Sequence, residues 1–143
     1  SGDIGIFGHG YTYSGHPVAC AVALKTLEIY ERDKIFEHVA SISDYFQARV
    51  KKLNSFESVG EARGVGLICG IELVSDKATK AGFAPMGSAG RVVAKICQDE
   101  GLIVRAIGDV IAMCPPLIIT TNQIDEMFDM FELALKKAES KIL

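Results

Sequence analysis

Two pairs of apolar segments, each pair joined by a very short break, constrain the fold more than any other feature of this sequence. The first pair is Val59 to Val65 and Leu67 to Val74, punctuated by Gly60, Gly64, Gly66 and Gly70. The second is Leu102 to Ile107 and Val110 to Cys114, split by Gly108-Asp109 and stopped by Pro115-Pro116. Neither pair has helical periodicity, and both read as strands with glycines at bends or bulges. A Gly-Asp dipeptide between strands suits a two-residue type II′ turn, which needs glycine first. Adjacent strand pairs joined this tightly favour antiparallel pairing.

The remaining chain is helical. Pro17 suits a first helical position, where its missing N–H is not needed, and Ser14 or His16 flanks that turn. This helix is expected to run to about Arg32. Its small face (Ala19, Cys20, Ala21, Ala23) would let another backbone approach, which suggests a central position. Asp33 is expected to cap a second helix to about Leu53, with Ile35, Val39, Ile42, Phe46, Val50 and Leu53 on one face. Glu37, Asp44, Arg49, Lys51 and Lys52 lie off that stripe, toward water. Ser75 to Gly87 reads as a polar loop. Ser88 is expected to cap a third helix to about Glu100, ended by Gly101. Thr120-x-x-Gln123 is a capping box opening a last helix with the stripe Ile124, Met127, Phe128, Phe131 and Leu135. The order loop-α-α-β-β-α-β-β-α implies an α+β fold: a small, mostly antiparallel sheet covered by helices.

Composition excludes several functions. The charge is −3, with 15 Lys+Arg against 18 Asp+Glu. No basic excess is present to neutralise phosphates, so nucleic acid is not an expected partner. The longest apolar run, Val110 to Ile119, is interrupted by two prolines and too short to span a bilayer. Cys20, Cys69, Cys97 and Cys114 sit among apolar neighbours without metal-ligand spacing. They read as buried reduced thiols, which implies a reducing compartment such as the cytoplasm. Four of the first ten residues are glycine, a stretch with neither helical nor strand pattern, so the expectation is a piece of a larger chain.

Few residues point to chemistry. Of the three histidines, His16 reads as a helix-entry residue and His38 as a surface residue beside a helical stripe; His9 lies in the glycine-rich segment. No nucleophile has a base nearby in sequence. The segment from Gly8 to Gly15, Gly-His-Gly-Tyr-Thr-Tyr-Ser-Gly, sets hydroxyls and flexible backbone just before a helix N-terminus. It is either a phosphate cradle or a capped turn with aromatic packing. Arg105 stands in an otherwise apolar strand. It either meets an anion, which its planar fork would grip at two points, or is an edge arginine paired with an acidic neighbour. Arg63 and Arg91 are weaker cases of the same kind.

The stretch from His9 to Ala19, His-Gly-Tyr-Thr-Tyr-Ser-Gly-His-Pro-Val-Ala, resembles the class III pyridoxal-phosphate aminotransferases. The block from Gly60 to Leu67 resembles the family's VRGxGL strand, with Ala62 in place of the valine. Gly101 to Arg105 and Cys114 to Thr120 resemble its closing hairpin and last helix entry. The similarity runs in order over essentially the whole chain and is nearest to the branch acting on ω-amino acids or polyamines.

The resemblance implies the C-terminal part of a fold type I pyridoxal-phosphate enzyme. Residues 1–32 would be the end of the large cofactor-binding domain, and residues 33–143 the small C-terminal α+β domain. The implied reaction moves an amino group from an ω-amino acid or amine to a keto acid such as pyruvate. The implied cofactor is pyridoxal 5′-phosphate. The lysine that the family joins to it through a Schiff base would lie upstream. No lysine precedes His9, and Lys25 and Lys51 fall outside the motif, so this chain alone is expected to be inactive. Thr12 would hold the cofactor phosphate across a homodimer interface, Tyr11 would flank it through its backbone, and Arg105 would bind a substrate carboxylate. The alternative is a non-enzymatic α+β interaction module.

Overall fold

A computed structural model describes Gly5 and residues 8–143. The first residues of the glycine-rich opening otherwise fall outside the described residues. The chain divides into two compact units, Ser1–Ile35 and Phe36–Leu143.

In the first unit, two overlapping turns lead into helix α1, Pro17–Arg32. Pro17 takes the first helical position and His16 flanks it without a side-chain capping bond. Asp33 terminates α1 rather than capping the next helix. Its N–H donates to Ile29 O at 2.9 Å, and its carboxylate is held by Arg32 at 2.7 and 2.8 Å. Lys34 then turns with φ of 51°, in the left-handed region. No residue of α1 is buried, and Val18, Val22, Leu24 and Leu27 are exposed.

Helix α2, Ile35–Lys52, ends one residue earlier than its pattern suggested. Leu53 instead opens a short 3-10 turn, Leu53–Ser55. Strands β1 (Val59–Val65), β2 (Ile68–Leu73), β3 (Arg105–Ile107) and β4 (Val110–Met113) form one antiparallel sheet in the order β1-β2-β4-β3. The register shifts between Val59 and Glu61, a bulge at Gly60. A Cβ at Gly64 would stand 2.1 Å from Ile68 O, so the first hairpin closes only over glycine. The second hairpin turns at Gly108 with φ of 60° and pairs Ile107 with Val110, as expected of a II′ turn.

Strand β3 is shorter than its sequence suggested. Leu102, Ile103 and Val104 precede it without pairing, because the Leu102 N–H donates back to Cys97 O at 2.8 Å. The apolar character of these residues reflects half-burial of Leu102 and Val104 against the core, not sheet pairing.

Helices α3 (Ser88–Asp99) and α4 (Thr121–Ile142) complete the unit. The core joins Phe46 and Val50 of α2 and Val93 of α3 to Phe128, Phe131 and Leu135 of α4. Alternate sheet residues Cys69, Ile71, Leu73, Ile111 and Met113 complete it, so one sheet face carries the burial. The capping box of α4 is formed: the Gln123 N–H donates to the Thr120 hydroxyl, and the Thr120 N–H donates to Gln123 Oε1. Ser88, by contrast, is the first residue of α3 and caps nothing. The N-cap is Gly87, with no side-chain cap of its own.

Candidate functional site

In the glycine-rich segment the Ser14 N–H donates to Tyr11 O at 2.9 Å, and the Tyr11 N–H donates to the Ser14 hydroxyl at 2.7 Å. A β-turn with Thr12 and Tyr13 at its centre results. The next turn closes from the His16 N–H to Tyr13 O at 3.2 Å, with Gly15 at φ 73°. The Thr12 hydroxyl and the N–H groups of Thr12 and Tyr13 have no partner among the described residues. Nothing lies within 4 Å of the Cβ positions of Gly8, Gly10 and Gly15. The aromatic packing of the alternative reading is present too, with His9 set edge-on to Tyr11 at 5.4 Å. Three open donors beside a helix N-terminus are a donor set that fits a phosphate.

Arg105, in the second unit, opens edge strand β3 and pairs with Ala112 across the ladder. Its side chain is exposed and has no carboxylate partner among the described residues. It lines an open, mostly apolar cleft of about 580 Å³ with Ile103, Cys114, Pro115, Pro116 and Met127. A guanidinium with free donors at an apolar cleft suits a carboxylate on a short carbon chain. Arg63 instead meets Glu61 at 2.8 Å and Glu72 at 3.5 Å, a surface pair on β1 and β2.

Several residues behave differently from their sequence reading. His38 is half-buried, with Nε2 2.9 Å from Ile119 O. Cys20 and Cys114 are exposed; only Cys69 and Cys97 are buried thiols. Burial pushes Cys69 up to about 12 and Cys97 up to about 11, which leaves both inert. Arg49 does not reach into water. Its side chain is only 11% exposed, lies over the Phe128 ring, and pairs with Asp125, Asp129 and Glu132 of α4. Burial alone would lower its pKa, but the hydrogen bonds it donates to Asp129 and Asp125 outweigh that and raise it. The spacing of 125, 129 and 132 is an acidic stripe on α4 that a helical projection reveals.

Sequence reasoning treated Asp109 only as a turn residue. Its Oδ2 accepts from the Gly87 N–H at 2.6 Å and its Oδ1 from the Gly90 N–H at 2.9 Å, so the second hairpin supplies the cap that α3 lacks locally. A Cβ at Gly90 would stand 2.1 Å from Gly108 O, so the hairpin presses on the helix backbone.

Comparison with known proteins places these features in a family. Residues 2–135 match the class III aminotransferase family model. A mitochondrial gamma-aminobutyrate transaminase 1 of Oryza sativa subsp. indica is 44% identical over 142 residues, covering 99% of this chain and 28% of the relative. Its Solanum lycopersicum counterpart is 39% identical over the same length. Among solved structures, a transaminase with L-alanine superposes with a TM-score of 0.87 at 43% identity, covering 100% of this chain and 34% of that one. The PMP-bound form of an aminotransferase from Vibrio fluvialis gives 0.87 at 40% identity, over 96% of this chain and 30% of that one. The chain thus spans under a third of the length of the curated relatives it matches. By sequence and fold alike, this chain belongs to the class III aminotransferase family.

Proposed function

We propose that this chain is the C-terminal part of a pyridoxal-phosphate-dependent aminotransferase that moves an amino group from an ω-amino acid or amine to a keto acid such as pyruvate. The observation that carries the reading is family membership along nearly the whole chain, with 44% identity to a gamma-aminobutyrate transaminase. The name of that relative favours an ω-amino acid as donor. The cofactor, when bound, supplies the electron sink of the reaction. The rest is what this chain's residues do. Thr12 donates its hydroxyl to the phosphate, and the neighbouring turn N–H groups, Tyr11 beside them, complete the cradle. Arg105 grips the substrate carboxylate at two points and orients its carbon chain over the apolar cleft. Residues 1–32 belong to the end of the large domain and 33–143 to the small domain.

The same proposal includes a homodimer in which Thr12 serves the neighbouring subunit's site, and a cytoplasmic location. No helix among the described residues is long and apolar enough to cross a membrane. Plant relatives carry mitochondrial or chloroplastic in their names.

The test is turnover of the full-length protein with an ω-amino acid and pyruvate, read as alanine formed. Alanine production requiring added cofactor supports the reading, and this chain alone is expected to produce none. A full-length protein without amino transfer, or turnover by this chain alone, overturns it.

A further inference from the structure

Arg105 opens a short edge strand whose middle residue, Ala106, packs against the core. β3 has three residues, lies at the sheet edge and pairs only with β4. Among the described residues the exposed guanidinium has no partner to fix its direction. The other end of the hairpin is held firmly. The Asp109 carboxylate oxygens accept from the N-cap Gly87 and from Gly90 of α3, the Asp109 carbonyl accepts from the Leu73 N–H at 2.9 Å, and Gly108 O lies where only a glycine at position 90 leaves room. Three independent contacts therefore converge on the two turn residues, and Arg105 is only four residues away.

We propose that Asp109 is a positioning residue for Arg105: by tying the hairpin turn to the N-terminus of α3, it fixes the edge strand from which Arg105 reaches a carboxylate. This rests on the reading of Arg105 given above. A carboxylate acceptor on backbone N–H groups is a charge-assisted bond, roughly twice as strong as a neutral one. Without it the turn is tied less firmly to the N-terminus of α3, and β3, whose one sheet neighbour is β4, is held less firmly in direction. An arginine that must be ordered on each encounter binds its substrate more weakly.

The experiment uses the full-length protein and compares Asp109→Asn, Asp109→Ala and Gly90→Ala with Arg105→Ala. Gly90→Ala leaves Asp109 in place while its Cβ pushes on Gly108 O, so it disturbs the same contact by another route. KM and kcat are measured separately for a carboxylate substrate and for a monoamine in its half-reaction. Amide exchange across residues 105–113 is followed in parallel. The expected result is a KM for the acid raised about tenfold by Asp109→Ala, less by Asp109→Asn, with the monoamine changed under twofold. Exchange should quicken in β3 while α4 is unchanged. In an Arg105→Ala background Asp109→Ala should add no further loss, since the two act as one unit. Equal losses for acid and amine, additive losses in the double variant, or unaltered exchange in β3 overturn the positioning role while leaving the Arg105 reading intact. Should Arg105→Ala itself show no acid-specific loss, the carboxylate reading fails, and the positioning role fails with it. If Asp109→Ala does not fold, Asp109→Asn and Gly90→Ala decide by the same measurements.

Discussion

Helix α1 is richer in apolar residues than α4, yet α1 buries nothing and α4 buries six residues, among them Phe128, Phe131 and Leu135. The difference is one of arrangement. The apolar residues of α4 recur at helical spacing on one stripe and find the sheet and α2. Those of α1 (Val18, Val22, Leu24, Leu27) surround small residues, a surface made for close approach by another backbone. A contiguous exposed apolar surface marks an interaction face. Unit 2 therefore holds the buried core, while unit 1 holds a helix with no buried residue.

The largest effect expected on this contrast is in the core. Phe128 is 0% exposed, meets Phe46 at 5.2 Å and lies under Arg49. Phe128→Ala should destabilise this chain by about 3–5 kcal/mol in denaturant unfolding. Leu24→Ala, at a position 69% exposed in α1, should change it by under about 0.5 kcal/mol. With residues 1–32 as the end of a large domain, as proposed, the same Leu24→Ala should cost about 2–5 kcal/mol in the full-length protein, where the rest of that domain would cover α1. A negligible cost there would break the contrast, because α1 would then be bare in both.

Next in size is Arg105→Ala. Losing one partner of a desolvated charge pair costs about 2–5 kcal/mol. In the full-length protein kcat/KM for acid substrates should fall by at least tenfold, with a far smaller change for a monoamine in its half-reaction. Melting temperature should hold, since the side chain is exposed and has no partner among the described residues. Equal kinetic losses with a lowered melting temperature would make Arg105 a structural residue of unit 2 instead.

Thr12→Ala is the counterpart in unit 1. One hydrogen bond to a charged phosphate contributes about 1.5–3 kcal/mol, so cofactor affinity should weaken by roughly ten- to a hundredfold. Unfolding of residues 36–143 should not respond. Unchanged affinity, measured by cofactor titration, would return Thr12 to a plain turn residue.

How much of this was legible from the chain depended on sequence distance. The α2 and α4 stripes, the capping box at Thr120 and the Gly108-Asp109 turn are local patterns, and each is present in the structure. Arg105 was legible as the one charge in an apolar run. Relations between distant residues were not: Asp109 reaches α3 some 19 and 22 residues back, and Arg49 meets Asp125 across 76. The unpaired Leu102 to Val104 misled for a related reason, since apolar composition reports burial and not hydrogen bonding. The exposure of Cys20 follows from the lack of any buried residue in α1, which residue type alone cannot reveal.

The smallest expected effect separates the two units by acid. Asp125 and Asp33 both ionise below the usual carboxylate range. For Asp125 the main cause is the Tyr45 hydroxyl, which donates at 2.7 Å, followed by Arg49; for Asp33 it is the Arg32 side chain. A carboxylate whose folded pKa is depressed contributes stability above its unfolded pKa and loses it as pH falls through the folded value. The relevant window is therefore below about pH 4 for both. The partners differ, however. Tyr45 and Arg49 are on α2, far from Asp125 in sequence, so unfolding separates them. Arg32 adjoins Asp33, so much of their attraction survives in the unfolded chain and cancels from the difference. Asp125→Asn should flatten the acid end of the stability profile, and Asp33→Asn should leave it superimposable on the parent, in urea titrations from pH 6 to about pH 3. If Asp33→Asn also changes the profile, its ion pair is joined to structure beyond its sequence neighbour, and unit 1 is not the bare partner of the comparison.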